Sequence, residues 1–183
     1  MRVTAGEAKG ARLRTLPGPE TRPTTDMARK AIFDILGPAV QGARVLDLFA
    51  GSGALGIEAL SRGAAEAVFL ESSREACGVI LANLDTSGLR AKGIVRRRDA
   101  ERFLARPATE PFDLAFLDPP YARGLRFVAR ILGKLGSGGW IRTGGTVVVE
   151  AASGSVEWPP GFRETRTRRF GRTQLTIAVR DDA

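Results

Sequence analysis

Hydrophobic positions follow two different periods along the chain. Ala28, Ile32 and Ile35 recur every three or four residues, which predicts a helix with one apolar side. From Arg44 onward, short continuous apolar segments alternate with segments of helical period, and this alternation predicts buried strands joined by helices. Helices are predicted over residues 28–36, 54–61, 74–84, 99–105 and 125–135. Strands are predicted over residues 45–49, 67–71, 93–97, 112–117, 145–150, 162–168 and 174–180.

The order of these elements sets the fold class. Strands that alternate with helices favour an α/β fold, in which a mostly parallel sheet of seven strands carries helices on both faces. The last two strands follow one another around Gly171, so we expect an antiparallel C-terminal strand at the edge of this sheet.

The first 23 residues form a separate part of the prediction. Residues 2–5 and 11–15 are short, partly alternating segments that predict a small β-hairpin able to project from the body. The prolines that begin at Pro17 mark a loop after it. We therefore expect a basic hairpin-and-loop extension over residues 1–23, followed by one domain over residues 24–183.

Composition removes several classes of enzyme. The 183 residues include no histidine and one cysteine, Cys77. A Ser-His-Asp or Cys-His centre is excluded, as is a zinc site built on histidine or several cysteines, and we expect no metal. No intrachain disulfide can form, and neither an apolar span nor an apolar leader is present. These features favour a cytoplasmic protein with no membrane partner.

The excess positive charge lies at the two ends of the chain. The formal net charge is +8, of which residues 1–30 carry +4, residues 160–183 carry +3 and residues 31–159 carry +1. A basic surface on a nearly neutral body indicates a polyanionic partner, most simply nucleic acid. We interpret the run Arg96–Arg98 as solvated surface.

A glycine-rich turn follows the first predicted strand. Gly51, Gly53 and Gly56 form a G-x-G-x-x-G pattern between a strand and a helix, where missing side chains let a ligand approach the free N–H groups of the helix. Glu71 ends the next strand, where a carboxylate can accept hydrogen bonds from both hydroxyls of a ribose. The pattern predicts a nucleoside-like cofactor, either a nicotinamide dinucleotide or S-adenosylmethionine.

Asp47 separates these two cofactors. It lies four residues before Gly51, where a carboxylate would repel a pyrophosphate but suits the ammonium group of S-adenosylmethionine. The position therefore favours the methyl donor. Asp99, at the end of the third strand, can accept a hydrogen bond from the adenine amino group or cap the following helix, and both roles stay open.

The segment Asp118-Pro119-Pro120-Tyr121 ends the fourth strand, on the side of an open α/β sheet where ligands bind. Two consecutive prolines make a rigid corner that presents two acceptors, the Asp118 carboxylate and the Pro119 carbonyl. These acceptors can hold a planar exocyclic amine and free its lone pair for attack on a methyl group, without a histidine. Tyr121 offers a ring on which an extruded base can stack.

The residues now carry a resemblance to a family. The glycine turn and the Asp118–Tyr121 segment resemble class I S-adenosylmethionine-dependent methyltransferases with a Rossmann-like fold. Arg22–Asp26, the helix over residues 28–36 and the segment Asp47–Ala64 resemble the bacterial 16S rRNA guanine-N2 methyltransferases, the RsmD family. The resemblance covers essentially the whole chain and is weak over residues 151–183.

The resemblance implies a reaction and a set of sites. It implies methylation of one guanine N2 in 16S rRNA, within a 30S subunit or an assembly intermediate, by a monomer. The residues expected to act on the base are Asp118, Pro119, Pro120 and Tyr121. The residues expected to hold the cofactor are Asp47, Phe49, Ala50, Gly51, Ser52, Gly53, Glu71, Ser72, Asp99, Ala100 and Thr24. The residues expected to contact RNA are Arg2, Lys9, Arg12, Arg14, Arg22 and Arg123.

Three other functions stay open from the residues. The same acceptor corner can serve adenine N6 in DNA or a protein glutamine, although the basic ends disfavour a protein target. The formal glycine pattern is also found in nicotinamide oxidoreductases. The net charge of +8 alone would fit an RNA-binding module without catalysis.

Overall fold

The computed structural model describes residues 1–16, 26–152, 154, 156–171 and 173–181 of the chain. The side chains of Asp26, Tyr121 and Ala152 lie outside this description. The helices are α1 (Asp26–Leu36), α2 (Ala54–Ser61), α3 (Arg74–Thr86), α4 (Ala100–Phe103) and α5 (Gly124–Ser137). The strands are β1 (Arg44–Leu48), β2 (Glu66–Glu71), β3 (Gly93–Arg97), β4 (Phe112–Leu117), β5 (Ile141–Ala152), β6 (Phe162–Phe170) and β7 (Thr173–Arg180).

The seven strands form one sheet in the order β3-β2-β1-β4-β5-β7-β6. Strands β1 to β5 pair in parallel, whereas β7 is antiparallel to both β5 and β6. The predicted mostly parallel sheet with an antiparallel C-terminal strand is therefore confirmed. Parallel strands place all their carboxyl ends at one edge of the sheet, so the loops after β1, β2, β3 and β4 meet there.

Two hydrophobic layers hold helices on both faces of the sheet, as predicted. On one face, Ile32 of α1, Leu60 of α2 and Ile80 of α3 are fully buried against the strands. On the other face, Ile131 and Leu132 of α5 are fully buried in a second cluster. The central strands are buried on both sides because they lie between these layers, which explains their continuous apolar sequences.

The N-terminal hairpin exists but does not project from the body. Arg2 and Arg12 form an antiparallel bridge, and Val3 and Leu13 between the charged positions are buried in the core of the domain. The predicted projection is wrong because apolar residues alternate with the basic ones and pack inward. The predicted domain boundary after residue 23 lies outside the described residues.

A buried ion pair anchors this hairpin to α2. The Glu58 carboxylate is fully buried and accepts hydrogen bonds from the Thr4 and Ala5 backbone N–H groups, at 2.8 and 3.1 Å. The same carboxylate pairs with the guanidinium groups of Arg29 at 3.4 Å and Arg62 at 2.8 Å. Because a buried carboxylate needs such partners, Glu58 fixes where the basic hairpin can lie.

Most elements differ from their predicted bounds by one or two residues, and β5 differs the most. Helix α4 ends at Phe103 rather than at residue 105. Strand β5 begins at Ile141, four residues before the predicted start, and the pairing register with β4 shifts between Phe112 and Leu114. The two glycines at 144 and 145 mask this strand in the sequence, because glycine disfavours strands. None of the helices in the described ranges is long and apolar enough to span a membrane.

Candidate active site

Most of the predicted cofactor and catalytic residues line one cavity at the carboxyl ends of the parallel strands. Its volume is about 310 Å³, which lies within the range of small-molecule sites. We call it the carboxylate cavity, after the four carboxylates in its lining, Asp47, Glu71, Asp99 and Asp118. Other predicted residues in its lining are Phe49, Ala50, Gly51, Ser52, Ser72, Ala100, Pro119, Pro120 and Arg123.

The glycine turn has a backbone that its sequence requires. Gly51 and Gly53 have φ values of 54° and 79°, in the left-handed region that favours glycine. Gly53 precedes the first residue of α2, so it shapes the turn although it does not line the cavity. A Cβ on Gly56 would lie 2.3 Å from the Phe69 ring, so this third glycine lets α2 approach the sheet.

Phe49 in this turn has a strained backbone conformation. In the part of the chain that the structure describes, Phe49 is the one non-glycine residue with a positive φ, which is 62°. Such a conformation costs about 1–3 kcal/mol and persists only where surrounding contacts hold it. The Phe49 ring packs against Phe127 with centroids 5.6 Å apart, and the Arg123 guanidinium lies 4.9 Å from the same Phe127 ring. This contact links the glycine turn to the start of α5.

Asp47 is a buried acid at the base of the cavity. Its side chain is 2% exposed, and one carboxylate oxygen accepts a hydrogen bond from the Gly56 N–H at 2.9 Å. Burial raises the pKa of Asp47 to about 7, the Gly56 hydrogen bond acts to lower it, and the negative charge of Glu71 raises it further. A cation bound in the cavity would favour the ionised form of this group.

Glu71 connects two loops around the cavity. One carboxylate oxygen accepts a hydrogen bond from the Gly51 N–H at 2.9 Å, and the other accepts from the Ser73 N–H at 2.8 Å. A carboxylate has about four acceptor sites, so these bonds orient it and leave capacity for hydroxyl donors. Ser73 itself caps α3, and its hydroxyl accepts from the Ala76 N–H.

Asp99 caps α4 and lines the cavity at the same time. Its carboxylate accepts a hydrogen bond from the Arg102 N–H at 3.0 Å, so the capping role is confirmed. Because the same exposed carboxylate faces the cavity, a contact with adenine stays a prediction.

The proline corner lies directly after β4. Leu117 is buried as the last residue of the strand, Asp118 is half-buried, and Pro119 is buried beneath the exposed Pro120. Asp118 and Asp47 both line the same cavity because β4 pairs in parallel with β1. The backbone from Tyr121 to Arg123 forms a 3₁₀ turn, but the position of the Tyr121 ring lies outside the described residues.

The predicted RNA contacts stay predictions. Arg2, Lys9, Arg12 and Arg14 are exposed on the hairpin, in agreement with a surface role that stays a prediction. Arg22 and Thr24 lie outside the described residues.

Sequence reasoning missed residues that complete the site. Asn83 is fully buried on α3, and its amide donates to the Ser52 carbonyl at 2.9 Å and to the Arg14 carbonyl at 3.0 Å. It thereby joins the hairpin to the glycine turn, and a lone polar residue in the apolar pattern of α3 was its one signal. The other cavity residues not predicted are Thr15, Leu16, Ala54, Leu55, Leu70, Ser73, Ala76 and Arg98.

Within the described ranges, no group of three or more aspartate, glutamate, histidine or cysteine residues is placed to hold a metal ion. The four cavity carboxylates instead provide acceptors for hydrogen bonds and for a positive charge.

Comparison with known proteins identifies the family. The family model described as conserved hypothetical protein 95 matches residues 1–179. The ribosomal RNA small subunit methyltransferase D of Escherichia coli is 38% identical over 151 residues, which cover 82% of this chain and 74% of that protein. This chain belongs to the RsmD family. Its methyltransferase fold is therefore shown.

Further relatives agree with this assignment. The Bacillus subtilis protein YlbH is 47% identical over 123 residues, covering 66% of this chain and 67% of that protein. The solved structure of yhhF from Escherichia coli has a TM-score of 0.89 and 34% identity, and it covers 99% of this chain and 98% of that chain. The RsmD-type fold therefore extends over both the N-terminal hairpin and the C-terminal strands.

Proposed function

We propose that this protein transfers a methyl group from S-adenosylmethionine to the exocyclic N2 amine of a guanine in 16S rRNA. The observation that carries the proposal is the placement of the Asp118-Pro119-Pro120 corner in the same cavity as Asp47 and Glu71. Membership of the RsmD family supports rRNA as the substrate class. The substrate is the RNA of a 30S subunit or its assembly intermediate, and the protein acts as a cytoplasmic monomer.

The cavity residues fit the charge of the cofactor. S-adenosylmethionine supplies an electrophilic methyl group on a positively charged sulfur, and it also carries an ammonium group. Asp47 offers a buried carboxylate for the ammonium, and Glu71 offers oriented acceptor sites for ribose hydroxyls. A dinucleotide would instead place a pyrophosphate beside the Asp47 charge, which is unfavourable.

The proline corner fits an amine substrate. The Asp118 carboxylate and the Pro119 carbonyl accept hydrogen bonds from the two N–H groups of the guanine N2 amine. These bonds orient the nitrogen lone pair towards the methyl carbon. The nitrogen lone pair forms the new N–C bond, and the electrons of the broken C–S bond stay on sulfur. The nitrogen then loses one proton to solvent. The ring of Tyr121 would stack on the base that has left its helix.

A transfer assay tests this proposal. Radiolabelled S-adenosylmethionine is incubated with the protein and with 30S subunits from cells that lack the enzyme, and the rRNA is digested to nucleosides. The expected product is N2-methylguanosine in 16S rRNA. No incorporation, or label in a different nucleoside, would overturn the proposal, and transfer to DNA adenine or to a protein glutamine in parallel reactions would replace it.

A further inference from the structure

A second cavity lies outside the site described so far. Its volume is about 640 Å³, and its lining extends across the sheet from Phe112 of β4 and Arg44 of β1 to Ile94 and Arg96 of β3. We call it the arginine groove, after Arg96, Arg98, Arg102 and Arg106, which line it and are all exposed.

Local geometry brings these four arginines together. Side chains alternate along a strand, so Arg96 lies on the same sheet face as Ile94, whereas Arg97 points to the opposite face. The register confirms this face, because Arg96 pairs with Leu70, which belongs to the same hydrophobic cluster as Ile94. The side chains of the run Arg96–Arg98, interpreted from the sequence as solvated surface, therefore lie on both faces of the sheet. One of its faces opens into a groove.

The other two arginines come from the segment that follows Asp99. Arg102 lies in α4, and Arg106 lies just after it, four residues along the chain. The backbone carbonyl of Arg106 accepts a hydrogen bond from the Trp140 indole at 3.1 Å, which fixes this segment against the domain.

The positive charge of the groove is not neutralised internally. The groove also contains Glu66 and Glu110, but both pair with Arg44, each at 3.1 Å. Nearby Glu101 pairs with Arg130. Over the described ranges, no carboxylate lies within ion-pair distance of the four groove arginines.

The groove joins the carboxylate cavity. Arg98 lines both, because it follows β3 at the same sheet edge where Asp118 follows β4. The three strand steps from β3 to β4 span about 14 Å at about 4.8 Å per step.

We propose that the arginine groove binds the phosphodiester backbone of the RNA substrate next to the target nucleotide. Four exposed arginines without carboxylate partners suit a chain of regularly spaced negative charges, and guanidinium groups can bind phosphate oxygens in a bidentate manner. The inference rests on the proposed function, because it takes its ligand to be the substrate of the adjoining cavity. It adds a contact surface separate from the N-terminal hairpin.

A matched pair of double variants tests the groove. R102Q/R106Q removes two positive charges from the groove, and R166Q/R168Q removes two exposed charges from β6 at the opposite edge of the sheet. Affinity for 16S rRNA and for 30S subunits is measured between 50 and 200 mM salt, and calorimetry with S-adenosylmethionine confirms that each variant is folded. For R102Q/R106Q, the slope of log affinity against log salt should fall by about 1.4, or about 0.7 per lost phosphate contact.

The outcomes separate the groove from the proposed function. The proposal is supported if R102Q/R106Q lowers the slope and raises the KM for RNA, while kcat and cofactor affinity stay as in the wild type and R166Q/R168Q changes the slope and the KM less. Equal effects of both variants would show a general charge effect and overturn the groove assignment, even though methyl transfer continues. If the wild type methylates no rRNA, the proposed function is overturned, and the identification of the groove's ligand as substrate RNA is overturned with it.

Discussion

The carboxylate cavity and the arginine groove share Arg98 but differ in the sign of the charges that line them. Asp47 lies in a buried pocket where its pKa is raised to about 7, whereas Arg102 and Arg106 are exposed to solvent. Burial makes the Asp47 carboxylate selective for a small cation, because an unpaired buried charge is unfavourable. The exposed arginines of the groove can contact phosphates of an RNA strand whatever its base sequence, because phosphate contacts carry no sequence information.

This difference leads to separate predictions for catalysis, cofactor affinity and RNA affinity.

Asp118→Ala should lower the rate of methyl transfer by about 100- to 1,000-fold, the range known for loss of one preorganised polar group. The affinity for S-adenosylmethionine, measured by calorimetry, should stay within about twofold, because the residue acts on the base. Asp34→Ala is the matched control, since Asp34 is an exposed acid on α1. A complete loss of cofactor binding in Asp118→Ala would show that Asp118 belongs to the cofactor site.

Asp47→Asn should weaken S-adenosylmethionine binding by about 10- to 100-fold, since hydrogen bonds to charged groups contribute about 1.5–3 kcal/mol. The asparagine oxygen can still accept from the Gly56 N–H, so the turn is preserved. RNA affinity should not change. An unaltered cofactor affinity in calorimetry would show that Asp47 does not bind the ammonium group of S-adenosylmethionine.

Although Asp47→Asn should weaken cofactor binding, it should raise the stability of the folded protein at high pH. Because the pKa of Asp47 rises from 3.8 to about 7 on folding, the stability that its protonated form contributes is lost as the pH rises through about 7. Without cofactor, the variant should melt at a higher temperature than the wild type at pH 8. The difference should narrow as the pH falls towards 4. A constant difference across this range in thermal melts would contradict the raised pKa.

Proton release gives a smaller and more specific effect. At pH 6.5 the wild type holds Asp47 mostly protonated, so binding of a cationic cofactor should release more than half a proton. Calorimetry in buffers of different ionisation enthalpy measures this number, and Asp47→Asn is the control that lacks the group. Equal proton release by both proteins would assign the titration to another residue.

Much of the fold follows from local sequence patterns. The bounds of α2, β3 and β4 agree with their predictions because a turn or a helix cap lies at each end. The cavity lining was also predictable, since the carboxyl ends of parallel strands must meet at one edge.

Other features depend on contacts distant in sequence. Glu58 and Asn83 hold the N-terminal hairpin across more than 50 residues of chain, and no local pattern reveals such partners. The division of Arg96 and Arg97 between two sheet faces needs the register with β2.

Mass spectrometry of 16S rRNA from a deletion strain tests the central claim most directly. The strain is compared with the same strain carrying the wild-type gene or the Asp118→Ala gene. We predict that one N2-methylguanosine is absent after deletion, returns with the wild-type gene and stays absent with Asp118→Ala. An unchanged set of methylated guanines after deletion would contradict the assignment of this cavity to rRNA guanine-N2 methylation.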